Sequence, residues 1–364
     1  MRSIWDQAHE FRNRLTMIKR ATAPATGAWY PYDSLAPMEI FGEFLGGDPA
    51  RLLQIIGGKP VLDLGCGDGD LSFFLASLGA EVEAIDHAPT NYNRMAGANA
   101  LKQALGASRV QIRAADLDQP LELCAPVYGL ALLMGVLYHL KNPYSILETL
   151  AHKARYCFLS TRIAALAADR KTRIANIPVA YLLSEGEVNQ DDTNFWIFSE
   201  AGLRRIISRS GWRVVEFRAT SNAASSDPVS RGGDARAYCL IESRVPQAPA
   251  GIQLLDGWHA IEFGAWRWTE RRFSFAIDDP VEGRTLGLRF YLAPVVLAGR
   301  GSVTLRGGEA PPRTYTTPGE HVYECPAASR VHFELDTAIG PTNQDSRELG
   351  LQVQFWGAPP ITLV

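Results

Sequence analysis

The stretch VLDLGCGDGDLSFF, residues 61–74, joins a strand-like apolar run to a helix-like one through Gly65, Gly67 and Gly69. A turn of this kind brings backbone N–H groups and a helix N-terminus close to a ligand. The dinucleotide fingerprint G-x-G-x-x-G wants a glycine at position 70, where this chain has Asp70. Asp63 lies inside the first run. Asp86 ends the next, VEAID, where an acid can accept both hydroxyls of a ribose. Asp116 ends a third, IRAAD, and is placed to receive the amino group of an adenine. Three carboxylates after three successive strands face one crevice at the carboxyl edge of an open sheet, the edge where ligands bind in such folds. Asn91 and Tyr92, in HAPTNYN, read either as contacts on this side or as ordinary helix-start residues.

A fourth apolar run, YGLALLMGVL, stops at Tyr138 and His139. Histidine titrates near neutral pH, so His139 is either a general base for an oxygen nucleophile or a hydrogen-bonding residue that shapes the loop. Tyr138 can hydrogen-bond a substrate or cofactor, or pack against an adenosine. Arg162, in STRIA, can bind an anionic substrate or pair with a carboxylate. Asn194 and Trp196, in NQDDTNFWIFSE, read as a substrate lid, although Phe195, Trp196 and Phe198 suit a core better. The five cysteines, Cys66, Cys124, Cys157, Cys239 and Cys325, form no CxxC pair and no cluster with histidines. No metal site is expected from them, and reduced structural cysteines suit a cytoplasmic protein.

The elements that must position these residues alternate between strand and helix over residues 59–245. KPVLDLG, AEVEAID, RVQIRAAD, YGLALLMGVL, RYCFLST, WRVVEFRAT and RAYCLIESRV read as seven strands. Alternation with helices predicts a parallel sheet covered on both faces, and the last two strands, with no helix between them, predict an antiparallel return at the sheet's end. Residues 1–58 read as a helical cap. Ile4, Trp5, Ala8, Phe11, Leu15 and Ile18 make its apolar stripe, and acidic residues interrupt the basic face that a membrane-surface helix would need. VPQAPAGI reads as a linker. Residues 250–364 contain no lysine but four of the eight tryptophans, in short strand-like runs punctuated by Gly and Pro. That pattern predicts an all-β second domain, a β-sandwich. A net charge of −3 argues against a broad nucleic-acid surface. No apolar run approaches the roughly 20 residues that span a bilayer.

The ordered set D-L-G-C-G-D-G, I-D, A-D-L-D and M-G-V-L-Y-H-L resembles the class I S-adenosylmethionine-dependent methyltransferases over about residues 25–245. The resemblance implies a Rossmann-like, seven-stranded domain with S-adenosyl-L-methionine as cofactor. It implies Gly65 and Gly67 beside the methionine moiety, Asp86 at the ribose and Asp116 near the adenine. Tyr30, Asp63, Cys66, His87, Leu117, Met134 and Gly135 complete the implied cofactor-binding set. GVLYHLKNP, TNFWIFSEAGLRRIISRSGW and the upstream WYPYDSL are similar to the branch of tRNA wobble-uridine 5-oxyacetate (carboxymethyl) transferases and their methyltransferase-like relatives. That branch implies a loop over the cofactor at residues 29–35 and carboxy-S-adenosyl-L-methionine as an alternative cofactor. It also implies Tyr138 as a partner for the extra carboxylate, and an arginine between the last two strands, Arg231 or Arg236. GWHAIE and WRWT are similar to β-sandwich modules of some bacterial glycosyltransferases and polysaccharide enzymes, which implies either a sugar-stacking surface or, by period two in Trp266 and Trp268, a tryptophan-rich core.

The expected function is methylation of a hydroxyl on a sugar or other small molecule, with His139 and Tyr138 as catalytic residues. Asn91, Tyr92, Arg162, Asn194, Trp196 and Arg236 are expected at the substrate. The alternatives are a tRNA-modifying methyl or carboxymethyl transferase and a cofactor-binding protein without turnover.

Overall fold

Runs too apolar to alternate between core and solvent build the first sheet. In the computed structural model, β1 (Val61–Leu64) is buried throughout. It is followed by β2 (Val82–Asp86), β3 (Val110–Ala114), β4 (Tyr128–Met134) and β5 (Ala154–Ala164). These five are parallel, in the order β3-β2-β1-β4-β5. Strands buried on both faces need layers on both sides. The model describes residues 2–363 except 26, 126, 221, 231–234, 246–251, 263–265, 278–284, 344 and 355–360. Its two compact units are Met1–Arg244 and Val245–Val364.

The first unit's sheet has nine strands where seven were expected. The additions are β6 (Ala180–Leu182) and β7 (Trp196–Ser199), runs of three and four residues that are too short to show a periodicity. β5 extends to Ala164, beyond the expected RYCFLST, and its last two residues pair with β7 in parallel. Along Tyr156–Ile163 the same strand pairs antiparallel with β9 (Ala235–Ser243), which in turn pairs with β8 (Trp212–Ala219). The antiparallel strand therefore lies one place in from the edge.

The upstream segment is built into this unit. α1 (Ile4–Ala21) starts at a capping box, in which Ser3 and Asp6 satisfy each other's backbone N–H. Its buried stripe is Ile4, Ala8, Phe11 and Leu15. α2 (Met38–Phe44) and α3 (Pro49–Ile56) follow. α4 (Asp70–Ser77) comes directly after the glycine turn, and Phe11 of α1 meets its Phe74 at a ring separation of 5.7 Å. Phe41 of α2 stacks on Phe158 of β5 at 3.8 Å. α5 (Ala96–Leu105), α6 (Pro143–Lys153) and α7 (Glu200–Arg209) complete the unit's α-helices among the described residues.

In the second unit, eleven short strands between Ile252 and Leu363 form two antiparallel sheets, of five and six strands. One apolar core takes Phe273, Phe275 and Phe333 from the first sheet and Leu286, Leu288, Phe290 and Tyr323 from the second. Trp258, Trp266 and Trp268 all pack into or against that core. Trp258 sets its ring edge-on to Phe273 and donates its indole N–H to the Ser274 carbonyl. The core reading of the aromatic cluster holds for these three residues, and Trp356 lies outside the described residues. No helix among the described residues is long and apolar enough to cross a membrane.

Candidate active site

The glycine turn is held by its neighbour strand. Gly65 N–H donates to the Ile85 carbonyl at 2.8 Å, and Gly67 N–H donates to Asp86 Oδ2 at 2.8 Å. Gly65 has φ +74° and Gly67 +59°, the left-handed region that glycine enters without steric cost. A Cβ on Gly65 would stand 2.2 Å from Val136 Cγ2. The backbone there runs directly against the segment that follows β4.

Asp86 has more partners than the sequence suggested. Oδ2 also accepts from Asn91 Nδ2 at 3.0 Å, and Oδ1 accepts from His87 N–H at 2.7 Å. Of the four lone-pair positions on a carboxylate, one remains open. Asn91 is thus a brace as well as a neighbour of the crevice, since its Oδ1 also accepts from the Asn93 and Met95 N–H groups. His87 Nδ1 lies 3.0 Å from Thr90 Oγ1. Tyr92 is 58% exposed, with its ring edge-on to Tyr30.

Tyr30 lies over the turn: its ring would be 3.3 Å from a Cβ on Gly67. It is held there by Asp68, which the sequence did not single out. Asp68 is buried and accepts from Tyr30 N–H at 2.8 Å and Asn93 Nδ2 at 2.7 Å. Lys19 of α1, also unforeseen, reaches Asp68 at 3.5 Å and Asp70 at 2.9 Å. Burial pushes the Tyr30 phenol up to about 12, with Tyr138 and Asp86 adding to the shift.

Asp63 is buried and accepts from Ser72 Oγ at 2.6 Å. Burial raises its pKa to about 7 against that hydrogen bond. Burial also raises the Cys66 thiol, and Asp63 and Asp86 raise it further. Asp116 Oδ1 accepts from Asp118 N–H at 3.0 Å, across the buried Leu117. Asp118 accepts from the N–H groups of Lys141 and Asn142 and so ties the loop after β3 to the loop after β4.

At the end of β4, Met134 is half-buried, and Gly135, at φ +72°, donates its N–H to the Ser160 carbonyl. Arg236, at the start of β9, donates from Nη2 to Tyr138 Oη at 3.2 Å. Its Nη1 would lie 3.4 Å from a Cβ on Gly135. The Tyr138 and His139 rings are 4.2 Å apart. His139 Nδ1 lies 2.9 Å from Thr193 Oγ1 and 3.2 Å from the Thr193 carbonyl. Burial holds the imidazole pKa below its usual 6.5 although Asp191 pulls it up, so the ring is neutral at pH 7.

Met134, Gly135, Tyr138, His139 and Arg236 therefore come together, with Tyr30 on the cofactor side. Arg162 does not join them. It is 3% exposed, and its Nη2 donates to the carbonyls of Asp227 at 3.5 Å and Ser230 at 3.2 Å. A side chain buried in mid-strand is better satisfied by loop carbonyls than by a ligand. Asn194 is likewise buried and donates to the Val188 and Asp191 carbonyls, which shapes its own loop. Trp196 is half-buried, opens β7 and donates to the Lys141 carbonyl. Arg231 lies outside the described residues.

These features fit an adenosyl sulfonium cofactor. Gly65 and Gly67 present no side chain where a ligand must approach, and the carboxylate ending β2 keeps an open lone pair for a ribose hydroxyl.

A family model described as "Methyltransferase domain" matches residues 41–217. The ubiquinone biosynthesis O-methyltransferase of Xylella fastidiosa is 30% identical over 195 residues, which are 51% of this chain and 74% of that protein. That of Burkholderia pseudomallei is 31% identical over 180 residues, 47% of this chain and 74% of its own. That of Bordetella parapertussis is 28% identical over 147 residues, and there the match spans only 59% of the relative's length. Among solved structures, the N-terminal domain of EvdMO1 in the presence of SAH and D-fucose is 17% identical with a TM-score of 0.42, covering 64% of this chain and 96% of that one.

Proposed function

We propose, from the premise that this chain belongs to the class I S-adenosylmethionine-dependent methyltransferases, that it methylates a hydroxyl group of a sugar or another small molecule. S-adenosyl-L-methionine, when bound, supplies an electrophilic methyl group on a sulfonium. Gly65 and Gly67 would lie along its methionine part, Asp86 would take a ribose hydroxyl, and Asp116 with Leu117 would lie near the adenine. Tyr30 covers Gly67 and would exclude water from that side.

The observation that carries the oxygen-acceptor reading is His139. It is held by Nδ1 to Thr193 and stands beside Tyr138 at the end of β4, and burial holds its pKa below the usual 6.5. In this reading His139 takes the proton of the acceptor hydroxyl, and Tyr138 orients the acceptor. General-base assistance of this kind contributes roughly 10²–10⁴-fold. That the relatives are named O-methyltransferases supports it. The second unit, whose two sheets share a core, we read as a β-sandwich module with a binding role.

The test is to incubate the protein with methyl-labelled S-adenosyl-L-methionine and a panel of sugars, phenols and free nucleosides, reading products by mass spectrometry. Label on a hydroxyl oxygen is expected; label only on nitrogen or carbon would overturn the reading. One observation favours a second reading. The Arg236 guanidinium bonded to Tyr138 beside Gly135 suits the extra carboxylate of carboxy-S-adenosyl-L-methionine. Carboxymethylated tRNA from a parallel assay would bring that reading forward.

A further inference from the structure

We propose that Thr193 and Asp191 are positioning residues that fix the tautomer of His139, placing the proton on Nδ1 and leaving the lone pair on Nε2. The inference deepens the reading of His139 as a base and rests on it for its catalytic consequence, though not for the tautomer itself.

The proton inventory is short. Thr193 Oγ1 has a single hydrogen and lies 2.6 Å from Asp191 Oδ1, a carboxylate oxygen that can only accept. The hydroxyl proton therefore goes to Asp191. The same oxygen lies 2.9 Å from His139 Nδ1, so in that contact it accepts. The second partner of Nδ1 is the Thr193 carbonyl at 3.2 Å, which has nothing to donate. Both contacts require N–H on Nδ1, and a neutral imidazole has only one N–H. Nε2 is then the basic nitrogen.

The surrounding loop is built to hold this arrangement. Asp191 Oδ1 also accepts from Thr193 N–H at 2.9 Å, which closes a tight turn. Asn194 Nδ2 donates to the Asp191 carbonyl from inside the loop. Phe195 N–H donates to the Tyr138 carbonyl at 2.8 Å, fastening the loop to the residue before the histidine. The other charges that act on the ring oppose each other: Arg236 disfavours the imidazolium, and Asp86, with Asp191, favours it. The buried Asn194 thus has a use, as a brace of the loop that carries Thr193.

Nitrogen-15 NMR of the full chain with labelled histidine reads the tautomer directly. In the wild type His139 should show the Nδ1–H form. Asp191→Ala frees the Thr193 hydroxyl to donate to Nδ1, so the Nε2–H form should grow and kcat should fall about 10²-fold, the low end of general-base effects, with KM and cofactor affinity unchanged. Asp191→Asn keeps an amide oxygen to receive the Thr193 proton and should restore most of the rate and the Nδ1–H form. A wild-type spectrum showing Nε2–H would overturn the proposal whatever His139 does. A tautomer that shifts in Asp191→Ala with no change in kcat would leave the assignment standing and remove His139 as base.

Discussion

The two sides of the crevice are held together differently. On the cofactor side, the partners of Asp86 are one, five and nineteen residues away, and Asp63 bonds Ser72, nine away. On the acceptor side, His139 meets Thr193 across 54 residues and Tyr138 meets Arg236 across 98. The centre of the first side is a local device, made by one turn and the neighbouring strand end, although the Tyr30 that covers it is held by Asp68 across 38 residues. The second exists only after the sheet has brought two distant segments, around Thr193 and Arg236, to the end of β4. Gly65 is where they touch, since its missing side chain is what lets Val136 approach.

Breaking that junction should have the largest effect. Gly65→Ala forces an alanine into a left-handed conformation that costs roughly 1–2 kcal/mol and adds a contact no side chain tolerates. Titration calorimetry should find no measurable cofactor binding. Adding Val136→Ala should recover part of it; no recovery would put the whole loss in the backbone, and undiminished binding in Gly65→Ala would break the idea of a junction. A paired experiment separates the sides. His139→Ala should lower kcat by about 10²–10⁴-fold and leave cofactor affinity alone. Asp86→Asn should do the reverse, weakening cofactor binding by roughly 1.5–3 kcal/mol. Equal effects of both variants on both quantities would dissolve the distinction.

The smallest effect is a pH dependence that runs in opposite directions on the two sides. The Asp63 carboxyl is raised from 3.8 to about 7 in the folded protein, so between those values the native state holds a proton that the unfolded chain has released. Its contribution to stability is full below pH 3.8 and is lost as pH rises through 7. His139 runs the other way: its depressed folded pKa gives stability that is present above 6.5 and lost on acidification. Asp63→Asn should flatten the loss of melting temperature between pH 4 and 7. A melting curve in which that loss persists would show that Asp63 is not its source.

How much was legible follows from the same contrast. The glycine turn, Asp63 and Asp86 could be read from their neighbours alone, because their bonding partners lie within the same short stretch. β1, β2, β4 and β5 were visible as largely buried apolar runs, and the edge strand β3 by its place in the alternation of strands and helices. β6 and β7 were not: they are too short, and they depend on the end of β5 for pairing. Arg162 was expected at an anionic substrate because it follows an apolar strand, and Asn194 as part of a lid because it lies in a polar stretch before a helix, yet in the structure both donate to loop carbonyls. Asp68, Lys19 and Thr193 gave no local signal, since each acquires its role from a residue at least 25 positions away.

The division at β5 bears on how such a chain can be altered over generations. This strand pairs with β9 along most of its length and with β7 at its tip, and residues 165–195, before β7, and 222–230, before β9, are two separate excursions between its partners. Insertions or replacements there reshape what faces Tyr138 and His139 without touching the turn at Gly65–Gly69. Within the first excursion Asp191 and Thr193 hold the histidine, so the room for change lies in the residues on either side of them.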